Sequence, residues 1–278
     1  MRVTIFGASG LLGQALMREW HGDAVTGLSS SDADIRDEGQ VRRLVQEQRP
    51  DWVVLAAAYT DVDGCENSPD LAFAVNRDGA VNVAIAAKMA GARLLFLSSD
   101  YVFDGKKTTP YEINDARHPQ SVYGRTKAEA EIILLGLLPN CCIVRTSWLF
   151  GLGGKCFPDT ILKLAASRPS LDVVNDQRGC PTYAVDLAHT IIQLCKKNSD
   201  GILHATNGGD CTWFEFAKEI VRGAELNTAV RPVTSQQMAR PAPRPAYSVL
   251  SPARLQGLGI EMPPWRDALG RYLKERLR

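Results

Sequence analysis

A glycine-rich turn close to the N-terminus constrains the fold more than any other feature of this 278-residue chain. Gly7, Gly10 and Gly13 follow a short apolar strand pattern over Arg2–Phe6, and a helical pattern over Gly10–Trp20 comes next. Glycines at such a place allow a tight turn, close approach of the backbone to a pyrophosphate, and close packing of helix on strand. The helix N-terminus then presents free N–H groups to the phosphates. The turn therefore predicts dinucleotide binding.

The order of elements behind this turn indicates an α/β fold. Strand patterns alternate with helical patterns over roughly 150 residues, which is typical of a parallel sheet covered by helices on both faces. We predict strands over Arg2–Phe6, Ala24–Leu28, Trp52–Ala57, Leu94–Ser98 and Cys141–Thr146, and helices over Gly10–Trp20, Val41–Gln48, Pro69–Ala90 and Tyr123–Leu137. The expected fold class is a Rossmann-type doubly wound parallel sheet with a smaller mixed α/β substrate-binding region at the C-terminus.

The alternation breaks down after residue 147. Weaker patterns there predict helices over 160–166, 186–196 and 213–222 and strands over 171–174 and 202–205. We assign residues 1–147 to a dinucleotide-binding domain and residues 148–278 mainly to a substrate-binding region. We expect the chain to return to the first domain around residues 171–205.

Composition excludes several classes of protein. Lys and Arg total 32 and Asp and Glu total 31, which gives a formal net charge of +1. A charge this small does not attract the whole protein to nucleic acid or to an anionic membrane. The seven cysteines are odd in number and form no CxxC pair, which indicates reduced thiols. No apolar run reaches the length of a membrane span, and the N-terminus lacks a signal peptide's apolar segment. We expect a cytoplasmic protein without nucleic-acid or membrane partners.

A tyrosine, a lysine and a serine carry the expected chemistry. Tyr123 and Lys127 lie four residues apart, on one face of a predicted helix. A tyrosine with an ordinary pKa of about 10 is a slow general acid until a nearby cation favours its phenolate. Ser99 follows a strand, where open α/β sheets bind ligands, and can polarise a substrate carbonyl. The three predict a nicotinamide-dependent ketone or alcohol oxidoreductase.

The choice between NADPH and NADH stays open. Ser29, Ser30 and Ser31 stand where an acid would bind the adenosine ribose or a base would bind a 2′-phosphate. Hydroxyl groups neither repel that phosphate nor specify it. Asp34 follows slightly later, and it suits a plain loop nearly as well as an adenosine contact. We expect NADPH or NADH as the cofactor.

These features together resemble the extended short-chain dehydrogenases, and within them the dTDP-4-dehydrorhamnose reductases, over nearly the whole chain. The strings that carry the closer resemblance are Ala56–Thr60, Ser99–Phe103, Arg145–Trp148, Gln177–Tyr183 and Arg244–Ser248. Several of them lie outside the generic dehydrogenase core. The resemblance implies NAD(P)H-dependent reduction of the C4 ketone of dTDP-4-dehydro-L-rhamnose, giving dTDP-L-rhamnose.

The resemblance also implies site residues. Tyr123 would be the proton donor, Lys127 its electrostatic partner, and Ser99 the third catalytic residue. With the glycine turn, the expected cofactor-binding residues are Gly7, Gly10, Leu11, Leu12, Gly13, Asp34, Ile35, Ala58, Tyr59, Thr60, Leu97, Tyr123 and Lys127. The expected substrate-binding residues are Ser99, Asp100 and Trp148. For Trp148, an ordinary core position between the two regions is the alternative.

Three departures from the family pattern bear on these expectations. Ser99 stands where the family usually has threonine, which keeps the hydrogen bond but loses a methyl group that fixes the rotamer. Cys156 stands where asparagine is usual, which leaves part of the substrate pocket open to question. Some relatives bind a metal at a dimer contact, but Gln14 occupies the corresponding position, so we expect no metal. A homodimer is one option for the oligomeric state.

Two other functions stay open. The string Ser98–Gly105 also resembles the β regulatory subunit of methionine adenosyltransferase, a non-catalytic protein, although Trp148 and Gln177–Tyr183 follow the reductase pattern. Another sugar-nucleotide epimerase, reductase or dehydratase is the third reading. A dehydratase usually needs an added acid–base pair, and here Tyr101 replaces the glutamate expected after Asp100.

Overall fold

The computed structural model describes residues 1–277, and a six-stranded parallel sheet forms its centre. The strands are β1 (Arg2–Phe6), β2 (Ala24–Leu28), β3 (Trp52–Leu55), β4 (Arg93–Ser99), β5 (Cys142–Thr146), β6 (Leu149–Phe150), β7 (Ser170–Val174), β8 (Arg178–Gly179), β9 (Thr182–Tyr183), β10 (Gly201–His204), β11 (Cys211–Thr212) and β12 (Ala229–Val233). The helices are α1 (Leu11–Glu19), α2 (Glu38–Gln48), α3 (Val62–Asn67), α4 (Pro69–Phe73), α5 (Gly79–Met89), α6 (Val122–Leu137), α7 (Phe157–Ala165), α8 (Ala184–Lys196), α9 (Trp213–Gly223), α10 (Ala253–Gly257) and α11 (Trp265–Arg276). A π-helical turn (Ala74–Asp78) joins α4 to α5.

The central sheet confirms the predicted Rossmann-type arrangement. Its strands lie in the order β2–β1–β3–β4–β5–β10, and every neighbouring pair is parallel. From β1 the chain first adds β2 on one side, and then adds β3 on the other side. The direction of winding therefore reverses between the carboxyl ends of β1 and β3, which is where open α/β sheets bind their ligands.

Helices cover both faces because the strands are apolar on both sides. Val54 and Leu95 face α1 and α8, whereas Val53 and Phe96 face α2, α5 and α6. All four residues of β3 are buried, as its nearly continuous apolar run predicts for a central parallel strand. The helices are thereby fixed in position against the sheet, which in turn fixes the loops at the carboxyl ends of the strands.

The second region is built from shorter elements around an aromatic core. There β7 pairs with β12, and α7, α9 and α11 surround Phe150, Phe216 and Trp265. Within the range 171–205, α8 packs against the central sheet and β10 pairs within it. The strand β7 pairs instead with β12, in the second region. Its alternating burial suits a half-covered strand, and β12 pairs along it.

Two predicted elements differ from those observed in ways that matter for the site. The strand predicted over Trp52–Ala57 ends at Leu55, because the N–H groups of Ala56 and Ala57 both turn to the carbonyl of Phe6. The helix predicted over Pro69–Ala90 contains the π-helical turn, which carries the buried side chain of Asn76. The first difference brings the end of β3 against the glycine turn.

Candidate active site

The glycine turn has the shape that a dinucleotide phosphate requires. Gly7 has a φ of +91°, and a Cβ there would lie 2.5 Å from the backbone nitrogen of Ala57. A Cβ on Gly13 would lie 2.1 Å from the carbonyl oxygen of Gly7. Only glycine fits at either position. Gly10 is the N-cap of α1. Because glycine has no side chain to cap the helix, the first N–H groups of α1 stay free for an anion.

Leu11 and Leu12 anchor the glycine turn by packing into the core. Leu12 is buried in the core between the sheet and α8, and Leu11 packs against the cores of both regions. Leu12 can therefore offer only its backbone to a ligand, whereas Leu11 is partly exposed. The Gln14 amide donates to the carbonyls of Ser9 and Gly153, both at 2.7 Å, and so joins the turn to a loop of the second region.

Asp34 and Ile35 lie beyond β2, at the far side of the switch point. The Asp34 carboxylate forms an ion pair with Arg36 at 2.6 Å, and these hydrogen bonds lower the pKa of Asp34. Ile35 is buried against Gly79. Before them, the Asp32 carboxylate accepts from the N–H and hydroxyl of Ser29, at 2.8 and 2.5 Å. This end of the site thus offers small hydroxyl groups and paired charges.

Ala58, Tyr59 and Thr60 follow β3 and are held by a residue that the sequence did not single out. The Tyr59 N–H donates to Oδ1 of Asn76 at 2.8 Å, and Nδ2 of Asn76 donates to the Tyr59 carbonyl at 3.0 Å. The same amide donates to the Thr126 hydroxyl on α6 at 3.2 Å. Asn76 is 1% exposed. It therefore fixes the segment after β3 against the helix that carries Tyr123.

Ser99 and Asp100 lie at the carboxyl end of β4 and are both buried. The Ser99 hydroxyl donates to Oδ1 of Asp100 at 2.9 Å and accepts from the N–H of Tyr101 at 3.2 Å. Burial raises the pKa of Asp100 to about 6, although the Ser248 and Ser99 hydroxyls oppose the rise. Ser248 lies beside this carboxyl group without the geometry of a hydrogen bond to Oδ2.

Two caps set the position of Tyr123 at the start of α6. The Ser121 hydroxyl accepts from the N–H of Gly124 at 3.1 Å, and the Glu66 carboxylate accepts from the N–H of Val122 at 2.7 Å. The Tyr123 ring meets the Tyr101 ring edge to face, with centroids 5.6 Å apart. Burial raises the pKa of Tyr123 above its ordinary value, and the adjacent Ser99 hydroxyl opposes the rise. The phenol is therefore protonated at neutral pH.

Lys127 lies one turn further along α6 and is 2% exposed. Its ammonium group donates to the carbonyl of Leu97 at 2.9 Å and lies 4.6 Å from the centre of the Phe96 ring. Burial lowers the pKa of Lys127 to about 8, and the charge of Glu131 opposes this effect. The structure thus brings Ser99, Tyr123 and Lys127 together around the end of β4.

A buried ionic network lies beside these three residues, and the sequence analysis missed it. Glu131 and Arg145 are both fully buried. Glu131 accepts from Arg145 at 2.7 and 2.9 Å, from Arg117 at 2.6 Å, and from the hydroxyl of Ser98 at 2.5 Å. A signal was available, because Glu131 follows Lys127 by four residues and so lies on the same helix face.

Trp148 follows β5 in an unusual conformation. Its φ is +46°, in a region that residues with a side chain rarely adopt. Its partly exposed indole stacks on that of Trp213, and a Cβ on Gly179 would lie 2.7 Å from Nε1 of Trp148. Trp148 is therefore neither a fully buried core residue nor a free surface one. Sequence reasoning missed Trp213.

Comparisons with known proteins agree with this arrangement. The family model described as the RmlD substrate binding domain matches residues 1–278. The chain is 43% identical to a dTDP-4-dehydrorhamnose reductase of Streptomyces griseus, over 96% of this chain and 91% of the relative. The chain belongs to the RmlD family. It is also 41% identical to the spore coat polysaccharide biosynthesis protein SpsK of Bacillus subtilis, over 99% of this chain and 98% of that protein.

A solved structure of the family is similar over nearly the whole chain. It is a dTDP-4-dehydrorhamnose reductase from Bacillus anthracis in complex with NADP, with 38% identity and a TM-score of 0.96. The alignment covers 99% of each chain. Within residues 1–277, no helix is long and apolar enough to cross a membrane.

Proposed function

We propose that the protein is an NAD(P)H-dependent reductase that converts the C4 ketone of dTDP-4-dehydro-L-rhamnose to the hydroxyl of dTDP-L-rhamnose. The grouping of Ser99, Tyr123 and Lys127 at the carboxyl end of β4 is the main support. The Streptomyces griseus reductase, at 43% identity, supports the choice of substrate. Since these three side chains suit a reacting carbonyl, a purely regulatory role is not needed to account for them.

Each of the three residues has one role in the proposed reaction. Bound NAD(P)H supplies the hydride. The Ser99 hydroxyl, which donates to Asp100 at 2.9 Å, turns to donate to the substrate carbonyl and polarises it. Tyr123 donates its proton to the developing alkoxide, and its raised pKa keeps the phenol protonated until then. Lys127, with its pKa of about 8, carries a positive charge at neutral pH and stabilises the phenolate that remains.

The glycine turn and its neighbours fit the cofactor. Gly7, Gly10 and Gly13 open the backbone to the pyrophosphate, and the backbone of Leu11 and Leu12 follows at the uncapped start of α1. We assign Asp34 and Ile35 to the adenosine end and Ala58, Tyr59, Thr60 and Leu97 to the remainder of the dinucleotide. The Bacillus anthracis relative, solved in complex with NADP, supports a nicotinamide dinucleotide as the cofactor.

We assign the sugar nucleotide to the carboxyl ends of β4 and β5, where Trp148 stacks on Trp213 of the second region. Asp100 and Trp148 would contact the sugar. The relative SpsK is named for spore coat polysaccharide biosynthesis, which supports action on precursors of cell-surface polysaccharide. We place this reaction in the cytoplasm. A homodimer remains a prediction, which light scattering of the purified protein would test.

The decisive experiment is an assay with enzymatically made dTDP-4-dehydro-L-rhamnose. We expect consumption of NADPH or NADH with this substrate, and dTDP-L-rhamnose as the product by NMR. Assays with each cofactor separately would establish the preference. The Tyr123→Phe variant is the matched control for chemistry at this site. A folded protein that binds NADPH but leaves the keto sugar unchanged would contradict the proposal.

A further inference from the structure

Thr146 is the last residue of β5 and lies beside Ser99 in the central sheet. The two are paired in the register of the parallel strands β4 and β5. Cys142 and Val144, which share a side of β5 with Thr146, pack in the same core as Leu97, which shares a side of β4 with Ser99. Neighbouring strands lie about 4.8 Å apart. Thr146 therefore lies on the Ser99 side of the sheet, at the edge where the site opens.

The Thr146 hydroxyl has no hydrogen-bond partner within residues 1–277, although its oxygen is buried. Oδ2 of Asp100 is likewise buried and has no hydrogen-bond partner there. Buried polar atoms without partners are rare, because each loses its hydrogen bonds to water. Both atoms lie at the carboxyl ends of β4 and β5, next to Ser99.

The neighbouring hydroxyl groups of these strands are satisfied. The Ser98 hydroxyl donates to Glu131 at 2.5 Å, and the Ser147 hydroxyl donates to the carbonyl of Cys180 at 2.7 Å. The hydroxyls of Ser98 and Ser147 thus each have a hydrogen-bond acceptor in the protein, whereas that of Thr146 has none within residues 1–277. A valine would serve a β-strand equally well, so strand formation alone does not explain a threonine here.

We propose that Thr146 is a substrate-binding residue, whose hydroxyl forms a hydrogen bond with the C3 hydroxyl of the keto sugar. This inference rests on the proposed function. A threonine hydroxyl can donate and accept, whereas an ionised carboxylate oxygen only accepts. The C3 hydroxyl, adjacent to the C4 carbonyl at Ser99, donates to Oδ2 of Asp100 and accepts from Thr146. Both unpaired atoms are then satisfied by one substrate group, so the pair selects for a hydroxyl at C3.

The test compares Thr146→Val, Thr146→Ser and Thr190→Val. We expect Thr146→Val to keep or raise the melting temperature, because it removes an unpaired hydroxyl, and to keep NADPH affinity. Its kcat/KM for the keto sugar should fall roughly 10-fold, since a substrate hydroxyl loses its partner in a buried site. Thr146→Ser should keep most of the activity. In the control, the Thr190 hydroxyl donates to the carbonyl of Asp186 at 2.9 Å, so Thr190→Val should lower the melting temperature and leave kcat/KM unchanged.

A substrate analogue completes the experiment. The 3-deoxy keto sugar should lose about as much kcat/KM with the wild type as Thr146→Val loses with the natural sugar, and the variant should show little further loss. If the wild type reduces the keto sugar and Thr146→Val has the same kcat/KM, the inference about Thr146 is wrong but the proposed function stands. A large fall in the melting temperature of Thr146→Val also overturns it, because the hydroxyl would then have a structural partner. A wild type without activity on the sugar overturns the proposed function and this inference together.

Discussion

The indole of Trp148 lies flat on the indole of Trp213, with ring centroids 3.5 Å apart and ring planes 8° apart. Trp148 follows β5 of the central sheet, and Trp213 begins α9 of the second region. The stack therefore joins the two regions beside the proposed sugar site. It also holds the left-handed backbone at Trp148, a conformation that proteins keep where the surroundings enforce it.

Replacing Trp148 by alanine should weaken sugar binding more than folding. The variant should raise KM for the keto sugar, leave NADPH affinity unchanged, and abolish the circular-dichroism signal of two coupled indoles. Because Trp148 is only partly buried, its loss of stability should be smaller than the ~3–5 kcal/mol expected for a core tryptophan such as Trp265. Trp265→Ala is the control. Equal losses in the two variants, with KM unchanged for Trp148→Ala, would make Trp148 a structural residue.

Tyr123→Phe should lower kcat by at least ~10²-fold, the usual scale for general acid catalysis, because it removes the proposed proton donor. NADPH affinity and the melting temperature should change little. Tyr111→Phe is a suitable control, since its hydroxyl donates to Asp104 at 2.6 Å rather than facing Ser99. It should lose stability but not turnover. Near-normal kcat in a folded Tyr123→Phe protein would assign the proton to another group.

Lys127→Met should weaken NADPH binding and move the activity–pH profile to higher pH, because the phenolate of Tyr123 loses its neighbouring charge. In the chain without cofactor, the pKa of Lys127 is about 8, below the unfolded value of about 10.4. Protonation of Lys127 therefore favours the unfolded chain, and this destabilising effect is fully present below about pH 8.

The stability of the wild type relative to Lys127→Met should consequently rise as the pH increases from about 8 to about 10.4. Urea denaturation of both proteins across this range measures the difference directly. A constant difference would mean that the buried lysine has an ordinary pKa, and unchanged NADPH affinity would remove it from the cofactor site.

Glu131→Gln should destabilise the protein strongly, by about 3–5 kcal/mol, because it leaves Arg145 charged and fully buried without its partner. The double variant Glu131→Leu with Arg145→Met should recover part of this loss, since no unpaired charge remains between them. Guanidinium denaturation of the single and double variants provides the comparison. A single-variant loss below ~1 kcal/mol would show that water reaches the pair.

The predictable parts of this protein depend on local pattern. Gly7 and Gly13 were identified from their place between an apolar strand and a helix, and the structure shows that a Cβ at either would collide with backbone. The spacing of Tyr123 and Lys127 placed them on one helix face, and α6 includes both. The strands of the central sheet were recognisable because a parallel strand buried on both faces is apolar along its length.

The contacts between distant segments were not predictable in this way. Asn76 and Tyr59 lie 17 residues apart, and Glu131 and Arg145 lie 14 apart. The spacing within α6 places Glu131 on the face of Lys127, but no local pattern indicates that its partner is Arg145 on β5. The second region was also harder to predict, because short strands such as β8 and β11 depend on pairing with distant segments.

The sequence by itself determined the Rossmann-type order of the central sheet, the glycine turn and the helix that carries both Tyr123 and Lys127, because periodicity and short-range spacing dictate those features. Only the tertiary structure decided how these residues are held and charged. It buries Lys127 and Asp100, stacks Trp148 on Trp213, and leaves the hydroxyl of Thr146 unpaired beside Ser99. Burial and hydrogen bonding depend on atoms from separate elements, so they are defined only when the chain has packed.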